Sequence, residues 1–467
     1  MKGTKIALLI VILAFGSTVE TAWRVRNRIG LGGWNWFMMG NRFQGPSFTF
    51  VAEDKQAVPA DTPVEVDNAF GAVNVVQGAP GEVKVSLRKV VFLATQEKAR
   101  AYADRIQIQA RREGGALRVS TNRADLERSF GAEPEVGFET HLDLAVPPGT
   151  AVRVTSEHGP VQVADVARAS VTASHDSVRV ERVSGPVEIE ARHGDVHVSG
   201  VKGDLKLTDR HGDATIEDVD GRATVDVQHG EVSATRVGGL VVNGAHGDIH
   251  ADTVRGDLEV HAQHAEVRGT DVTGRASVET TFQGVTLERV GGDASVHTEH
   301  GDVSLSDVKG AVDAQASFDD VTLTRIGGLA TVVVRHGGLR ASGLEKGARV
   351  RGSGDEIVIE SFRGPIDVEA ERAAVRLVPA GPIDAAVKVT ATHGAIELEI
   401  PVGSRIDLQA SAEPGQITND VPALGATQVS AGRLVGTVGG GGNAVVLTTS
   451  HADVRLRTAA AVAQQAP

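Results

Sequence analysis

A phrase of about 18 residues repeats through most of this 467-residue chain, and it constrains the fold more than any other sequence feature. The phrase is clearest at His193-Gly194-Asp195-Val196-His197-Val198 and again at His211-Gly212-Asp213-Ala214-Thr215-Ile216. With the His as position 1, successive phrases start at His158, His175, His193, His211, His229, His246, His264, Phe282, His300, Phe318, His336, Gly354 and Arg372. A short, nearly fixed period is typical of a protein built from stacked repeats.

Within each repeat, apolar residues alternate with polar ones. They occupy positions 4, 6, 9, 13 and 15, as in Val178, Val180, Val183, Val187 and Ile189. This period of two indicates strands that bury one face. Gly at position 11 and His-Gly at positions 1 and 2 mark the turns between two strands. The sequence therefore predicts an all-β fold, a parallel single-stranded β-solenoid (β-helix) of about 18 residues per coil, in which position 9 fills a corner.

A left-handed hexapeptide β-helix has a similar coil length, but it requires an apolar residue at every sixth position. Positions 10 and 16 of this repeat are polar, as Lys202 and Thr208 show. The phase of the pattern therefore excludes that fold, together with the acyltransferase function that it would suggest.

The N-terminal residues differ from the repeat. Lys2 and Lys5 precede the apolar run Ile6–Phe15, which predicts a signal peptide or membrane anchor over residues 1–22. Arg24, Arg26 and Arg28 follow the run and oppose translocation, so the side of the membrane stays open. Cleavage also stays open, because Ala14-Phe15-Gly16 is only a marginal cleavage site. We expect a cell-envelope protein, exported or anchored in the inner membrane, with the solenoid outside the cytoplasm.

The remaining segments follow from where the repeat is regular and where it is interrupted. An early coil phrase begins at Phe70, and an interruption follows in which Thr95–Ile106 has apolar residues at helical spacing. The predicted segments are a Trp- and Gly-rich linker over 23–60, a first coil plus a helix-containing insertion over 61–150, the regular solenoid array over 151–410, C-terminal coils over 411–457, and a disordered tail over 458–467.

Composition restricts the partners of the chain. The formal net charge is -13, which argues against nucleic acid, because nucleic-acid binding needs a basic face. The chain has no Cys, so disulfides, thiolate nucleophiles and thiolate metal sites are excluded.

The row of His residues at position 1 is the one candidate for chemistry. Imidazoles stacked about 4.8 Å apart could share a zinc ion. Phe282 and Phe318 occupy the same position, however, and Phe can stack but cannot bind a metal. We therefore interpret the row as rings that line a turn, with the Asp of position 3 fixing the turn backbone, and we assign no metal-ligating residue.

Calcium binding and catalysis are also disfavoured. The half-repeat Lys202-Gly203-Asp204 resembles the Asp-rich turns of calcium-binding β-rolls, but position 12 is often another residue, such as Arg222 or Ala311. Coils of constant length leave no room for the long loops that form enzyme clefts. We expect a non-enzymatic protein with no catalytic residue, no cofactor-binding residue and no cofactor.

The strand repeats resemble those of a bacterial putative-adhesin family of unknown function, whose pattern reads G-x-V-x-V-x-x-V-x-G-x-V-x-V. The resemblance runs from the coil at Phe70, through Val146-Pro147-Pro148-Gly149 and the array, to Thr448-Thr449-Ser450-His451-Ala452-Asp453-Val454. It implies a single-stranded β-solenoid that is exported or membrane-anchored. Its motif residues are structural, so it implies no site residue, and the persistent His at position 1 departs from its usual pattern.

Three functions remain open at the level of sequence. The first is an adhesin-like interaction module of the cell envelope, which binds an unknown protein or glycan and touches the membrane through its N-terminal segment. The second is a self-assembling scaffold or cytoskeletal-type polymer, formed when terminal coils with free strand edges associate. The third is a metal- or pH-responsive sensor arm that uses the His row.

Overall fold

The computed structural model describes residues 45–129, 136–430 and 432–458 of the chain. The predicted signal peptide or anchor lies outside these residues, as does the predicted tail apart from residue 458. Within the described part, no helix is long and apolar enough to span a bilayer.

The regular part of the chain forms a parallel β-solenoid, which confirms the predicted fold class. Its strands are β8 (Ala151–His158), β9 (Val161–Ala164), β10 (Arg168–Ala173), β11 (Val178–Val183), β12 (Val187–Ala191), β13 (Val196–Val201), β14 (Leu205–His211), β15 (Ala214–His229), β16 (Val232–His246), β17 (Ile249–Val254), β18 (Leu258–His264), β19 (Val267–Val272), β20 (Ala276–Thr280), β21 (Val285–Val290), β22 (Ala294–Thr298), β23 (Val303–Val308), β24 (Val312–Ala316), β25 (Val321–Ile326), β26 (Ala330–Leu344), β27 (Ala348–Phe362), β28 (Ile366–Glu371) and β29 (Val375–Pro379).

The pairing register reproduces the sequence period. Val178 pairs with Val161 on one side and Val196 on the other, so each step between paired strands equals one repeat of the sequence. Each coil contributes one strand to a face with positions 4 to 9 and one to a second face with positions 13 to 17. We call these the first face and the second face. Inward positions are buried, so the core is a narrow column of Val, Ala, Leu and Ile side chains.

The N-terminal end of the stack is covered by antiparallel strands and two helices. These elements are β1 (Ser47–Ala57), β2 (Val64–Phe70), β3 (Val73–Gln77), β4 (Glu82–Phe92), α1 (Gln96–Ala103), β5 (Ile108–Glu113), β6 (Ala116–Thr121), α2 (Arg123–Ser129) and β7 (Phe138–Val146). β2 and β3 form the first coil, which stacks on β8 and β9. β7 lies parallel to β3, and β4 and then β1 continue that face antiparallel.

At this end, β1 and α2 were not expected from the sequence, whereas α1 was. β1 lies inside the segment expected as a linker, so a linker would have to end before Ser47. The helix expected over Thr95–Ile106 is present as α1, with the Thr95 hydroxyl accepting a hydrogen bond from the Lys98 backbone N–H at 3.4 Å. α2 was not predicted, because its seven residues carry only one buried apolar side chain, Leu126, and show no helical period.

The C-terminal coils are stacked out of chain order. Their strands are β30 (Val387–Thr392), β31 (Ile396–Ile400), β32 (Ile406–Ala412), β33 (Ile417–Asp420), β34 (Leu424–Ser430), β35 (Arg433–Val438), β36 (Asn443–Ser450) and β37 (Val454–Thr458). The last coil, β36 and β37, inserts between β30–β31 and β32–β33. β35 and then β34 extend this end antiparallel.

Candidate functional site

The first turn of each coil, positions 1 to 3, carries a continuous stack of rings along one edge of the solenoid. Neighbouring ring centroids are 4.4 to 5.6 Å apart from His158 to His336. Phe282 and Phe318 take their places in this stack, and their side chains are 38% and 53% exposed. We call this row of rings the imidazole edge.

Two histidines of the edge have a ring nitrogen held by the backbone. Nδ1 of His175 lies 3.0 Å from the Glu157 carbonyl oxygen, and Nδ1 of His193 lies 2.6 Å from the Arg192 carbonyl oxygen. A carbonyl oxygen only accepts, so Nδ1 carries the hydrogen, and in the neutral ring Nε2 keeps its lone pair. Desolvation, followed by the neighbouring imidazoles, lowers the pKa of both His158 and His193.

Glycine at position 2 allows successive coils to approach closely in most of the array. Gly230 and Gly247 have φ of +139° and +128°. A Cβ on Gly247 would lie 2.0 Å from the Gly230 carbonyl oxygen. The first turn therefore stacks backbone directly on backbone, and the rings lie outside this contact.

The Asp of position 3 links neighbouring coils. The carboxylate of Asp213 accepts a hydrogen bond from the Glu231 backbone N–H at 2.9 Å, and that of Asp320 accepts from the Gly338 N–H at 2.8 Å. On the opposite edge, the Asp204 carboxylate accepts from the Arg222 N–H at 2.9 Å. These carboxylates cap backbone donors, which explains Asp in the repeat without calcium.

The second turn of each coil, positions 8 to 12, has a regularity that the sequence analysis missed. Position 8 is left-handed in every coil from the one containing Asp165 to the one containing Ser361, with φ between 51° and 69°. The residues there are Asp165, Arg182, Gly200, Asp218, Arg236, Thr253, Asp271, Arg289, Asp307, Arg325, Gly343 and Ser361.

Four Asp–Arg pairs join neighbouring coils at this position. Arg182 donates from Nε and Nη2 to the two carboxylate oxygens of Asp165, at 2.7 and 2.8 Å. The same bidentate geometry links Arg236 to Asp218, Arg289 to Asp271 and Arg325 to Asp307. In each pair the guanidinium lowers the pKa of the carboxyl group. The sequence contains a pattern that could have predicted these pairs, since Asp at position 8 of one repeat is followed by Arg at position 8 of the next.

Two carboxyl groups are buried beside the imidazole edge. Asp176 accepts a hydrogen bond from the Gly159 N–H at 2.5 Å, and Asp209 accepts one from the Arg210 N–H at 2.7 Å. The second carboxylate oxygen of each has no partner among the described residues. Burial raises the pKa of both groups.

A shallow groove of about 510 Å³ crosses the second face near the N-terminal end of the array. We call it the basic groove, because Arg153, Arg168, Lys206 and Arg222 line it, together with Glu188 and Asp204. Lys206 pairs with Glu188 at 3.3 Å. Among the described residues, no acidic side chain pairs with the guanidinium groups of the three arginines. The four cations lie on β8, β10, β14 and β15, so they span about 19 Å along the axis.

The sequence predicts no catalytic, cofactor-binding or metal-ligating residue. Within the described ranges, no group of three or more His, Asp or Glu side chains is arranged to hold a metal ion. The basic groove brings together, in one concave surface, ionisable side chains from five successive strands of the second face.

Comparison with known proteins identifies a family. The Toastrack DUF4097 family model matches residues 93–289 and 224–457. No curated protein matches the chain. A putative cell adhesion protein from Clostridium sporogenes is 10% identical with a TM-score of 0.22, over 47% of this chain and 98% of that chain. A putative adhesin from Parabacteroides distasonis is 12% identical with a TM-score of 0.22, over 62% of this chain and 98% of that chain.

Proposed function

The chain belongs to the Toastrack DUF4097 family, and from this membership and the surface of its solenoid we propose a non-enzymatic, adhesin-like interaction module of the bacterial cell envelope. The observation that carries the proposal is the basic groove on an otherwise acidic chain. Three arginines face solvent there without acidic partners, while the net charge of the chain is -13. Such a groove attracts an anionic ligand, whereas the acidic remainder of the surface repels one.

The ligand proposed for the groove is an acidic polysaccharide. Guanidinium groups recognise carboxylate, sulfate or phosphate oxygens through paired hydrogen bonds. Cations spread over about 19 Å of a flat face suit an extended chain with repeating charges better than a small anion. The lining residues of the groove lie on five successive strands, so an extended polymer can lie across them.

The regular array favours binding over catalysis. From β8 to β29 the coils follow one another with steps of one repeat, and the connections between strands are short turns. A longer step follows between β28 and β30. Long loops, which build the clefts of enzymatic β-helices, do not interrupt this range. Binding through many weak contacts on a rigid face matches this architecture.

The scaffold alternative finds less support in the ends of the stack. A polymer of coils needs a parallel coil edge at each end that continues the register of the next molecule. β4 and β1 cover one end antiparallel, and β35 and β34 cover the other on the second face. These antiparallel strands do not reproduce the parallel pairing found between coils.

Binding of the purified full chain to carboxylated and neutral polysaccharides tests the proposed ligand. We expect the carboxylated polymer to bind, and the triple variant R153S/R168S/R222S to bind it at least 10-fold more weakly. The matched control R275S/R340S/R349S removes the same charge from other exposed positions and is expected to bind like the wild type. Equal binding of both polymers, or equal loss in both variants, would contradict the proposal.

Protease accessibility of the solenoid tests the location separately. We expect added protease to digest it in intact cells or, if it faces the periplasm, in spheroplasts only. Full protection in both preparations would place it in the cytoplasm and overturn the envelope part of the proposal.

A further inference from the structure

The imidazole edge is a second feature of the surface, separate from the basic groove. Seven histidines follow one another in it without interruption, namely His158, His175, His193, His211, His229, His246 and His264. Phe282 and Phe318 break the row only beyond His264. The Phe substitutions exclude metal binding at their own coils and leave the first seven coils unaffected.

The ring spacing in this row suits two imidazoles on one ion. A zinc ion about 2.0 Å from a ring nitrogen lies about 3.2 Å from the ring centre. Centroids 4.4 to 5.6 Å apart then correspond to N–metal–N angles of about 85 to 125°. This interval includes the angles of octahedral and tetrahedral coordination. Six of the seven rings are exposed, so they can turn and leave the remaining coordination positions to water.

The nitrogen atoms are prepared for this role at two neighbouring coils. The Nδ1–H groups of His175 and His193 donate to backbone carbonyl oxygens, so both Nε2 lone pairs are free to bind. Their ring planes are 72° apart, which allows the two lone pairs to converge from different directions.

The charges around the row are least favourable for a cation at His193 and His211. Arg192 and Arg210 flank His193 and His211 and repel a cation. Beside His229, His246 and His264 the corresponding neighbours are Gln228, Ala245 and Gln263, which are uncharged. Glu231 and Asp248 lie two residues beyond the rings there, while Glu266 is paired with Arg268 at 2.6 Å.

We propose that the seven-histidine row is a surface array that binds divalent cations of the zinc class, with two neighbouring imidazoles per ion and up to three ions per row. Imidazole suits Zn²⁺, Ni²⁺ and Cu²⁺, and two protein ligands per ion give weak, reversible binding. Binding requires neutral imidazole, so it is lost as the pH falls below about 6.

The sharpest test uses Phe, because Phe282 and Phe318 show that the stack accepts it. The variant H175F/H211F/H246F keeps four of the seven histidines of the row but leaves no neighbouring pair within the row. The control H264F/H300F/H336F also removes three histidines, yet it keeps six consecutive ones and thus three pairs. Equilibrium dialysis of the full chain against Zn²⁺ at pH 7.5 measures the bound ions.

We expect the first variant to bind about three fewer Zn²⁺ ions than the wild type, and the control to bind as many as the wild type. Equal stoichiometry of the two variants would overturn the proposal, as would zinc binding that persists at pH 5.5. If the first variant fails to fold, H175Q/H211Q/H246Q provides the same comparison without added apolar surface. The polysaccharide test depends on other residues, so the two proposals can fail independently.

Discussion

The two turns of each coil join the same pair of strands, but they are held together by different contacts. In the first turn, glycine lets the backbone of one coil lie directly on the next, and the imidazole edge projects outside. In the second turn, the left-handed residue of position 8 is followed by a buried apolar side chain at position 9, such as Val237, and Asp–Arg pairs connect coils on the surface.

This difference explains why only one turn is easy to see in the sequence. The first turn restricts the residue type itself, because the close backbone contact admits little besides Gly at position 2 in most coils. The second turn restricts a backbone conformation, and Asp, Arg, Gly, Thr and Ser all adopt it there. Because several residue types can adopt this backbone conformation, no single residue type recurs at position 8 in the sequence.

Replacing Gly247 with Ala is expected to have the largest effect on stability, because the added Cβ disrupts the backbone contact between successive first turns. The new Cβ would lie 2.0 Å from the Gly230 carbonyl oxygen in a backbone with φ of +128°. We expect the free energy of unfolding to fall by about 3 kcal/mol, measured by thermal unfolding. The control is Gly81→Ala, where φ is +78° and no heavy atom lies within 4 Å of the added Cβ. Similar losses in both variants would show that φ strain, and not stacking, limits the first turn.

Replacing Thr253 with Gly is expected to stabilise the second turn. Thr253 has φ of 57°, which is costly for a β-branched residue, and Gly200 and Gly343 already occupy the same position in other coils. After allowing for the greater freedom of glycine in the unfolded chain, we expect a gain of about 1 kcal/mol. Thr235, one position earlier in its own coil, lies in a regular strand, so Thr235→Gly is the control and should destabilise. A loss of stability in both variants would contradict the conclusion that the left-handed backbone of Thr253 is strained.

The sequence was sufficient to predict the solenoid, because alternation and a fixed period report directly on local geometry. It predicted the coil phrase at Ser450-His451, but it gave no sign that β36–β37 inserts between β30–β31 and β32–β33. The order of coils depends on which strand edges pair in three dimensions.

The basic groove could not be predicted from the sequence for a similar reason. Its cations occupy positions 12 and 14 of separate coils, and only the folded register places them side by side.

The smallest expected effect concerns the Asp165–Arg182 pair, which tests whether the surface pairs of the second turn stabilise the stack. A double-mutant cycle with D165N and R182Q should give a coupling of about 0.5 kcal/mol at low salt, since both side chains are partly exposed and screened. Arg182 lowers the pKa of Asp165 below its unfolded value. The coupling is therefore fully present above about pH 4 and lost as the pH falls through the folded-state pKa, where the carboxyl group becomes protonated. It should also weaken in about 1 M NaCl. A coupling that is unchanged by acid and salt would mean that the two side chains act by packing, and that both turns depend on shape alone.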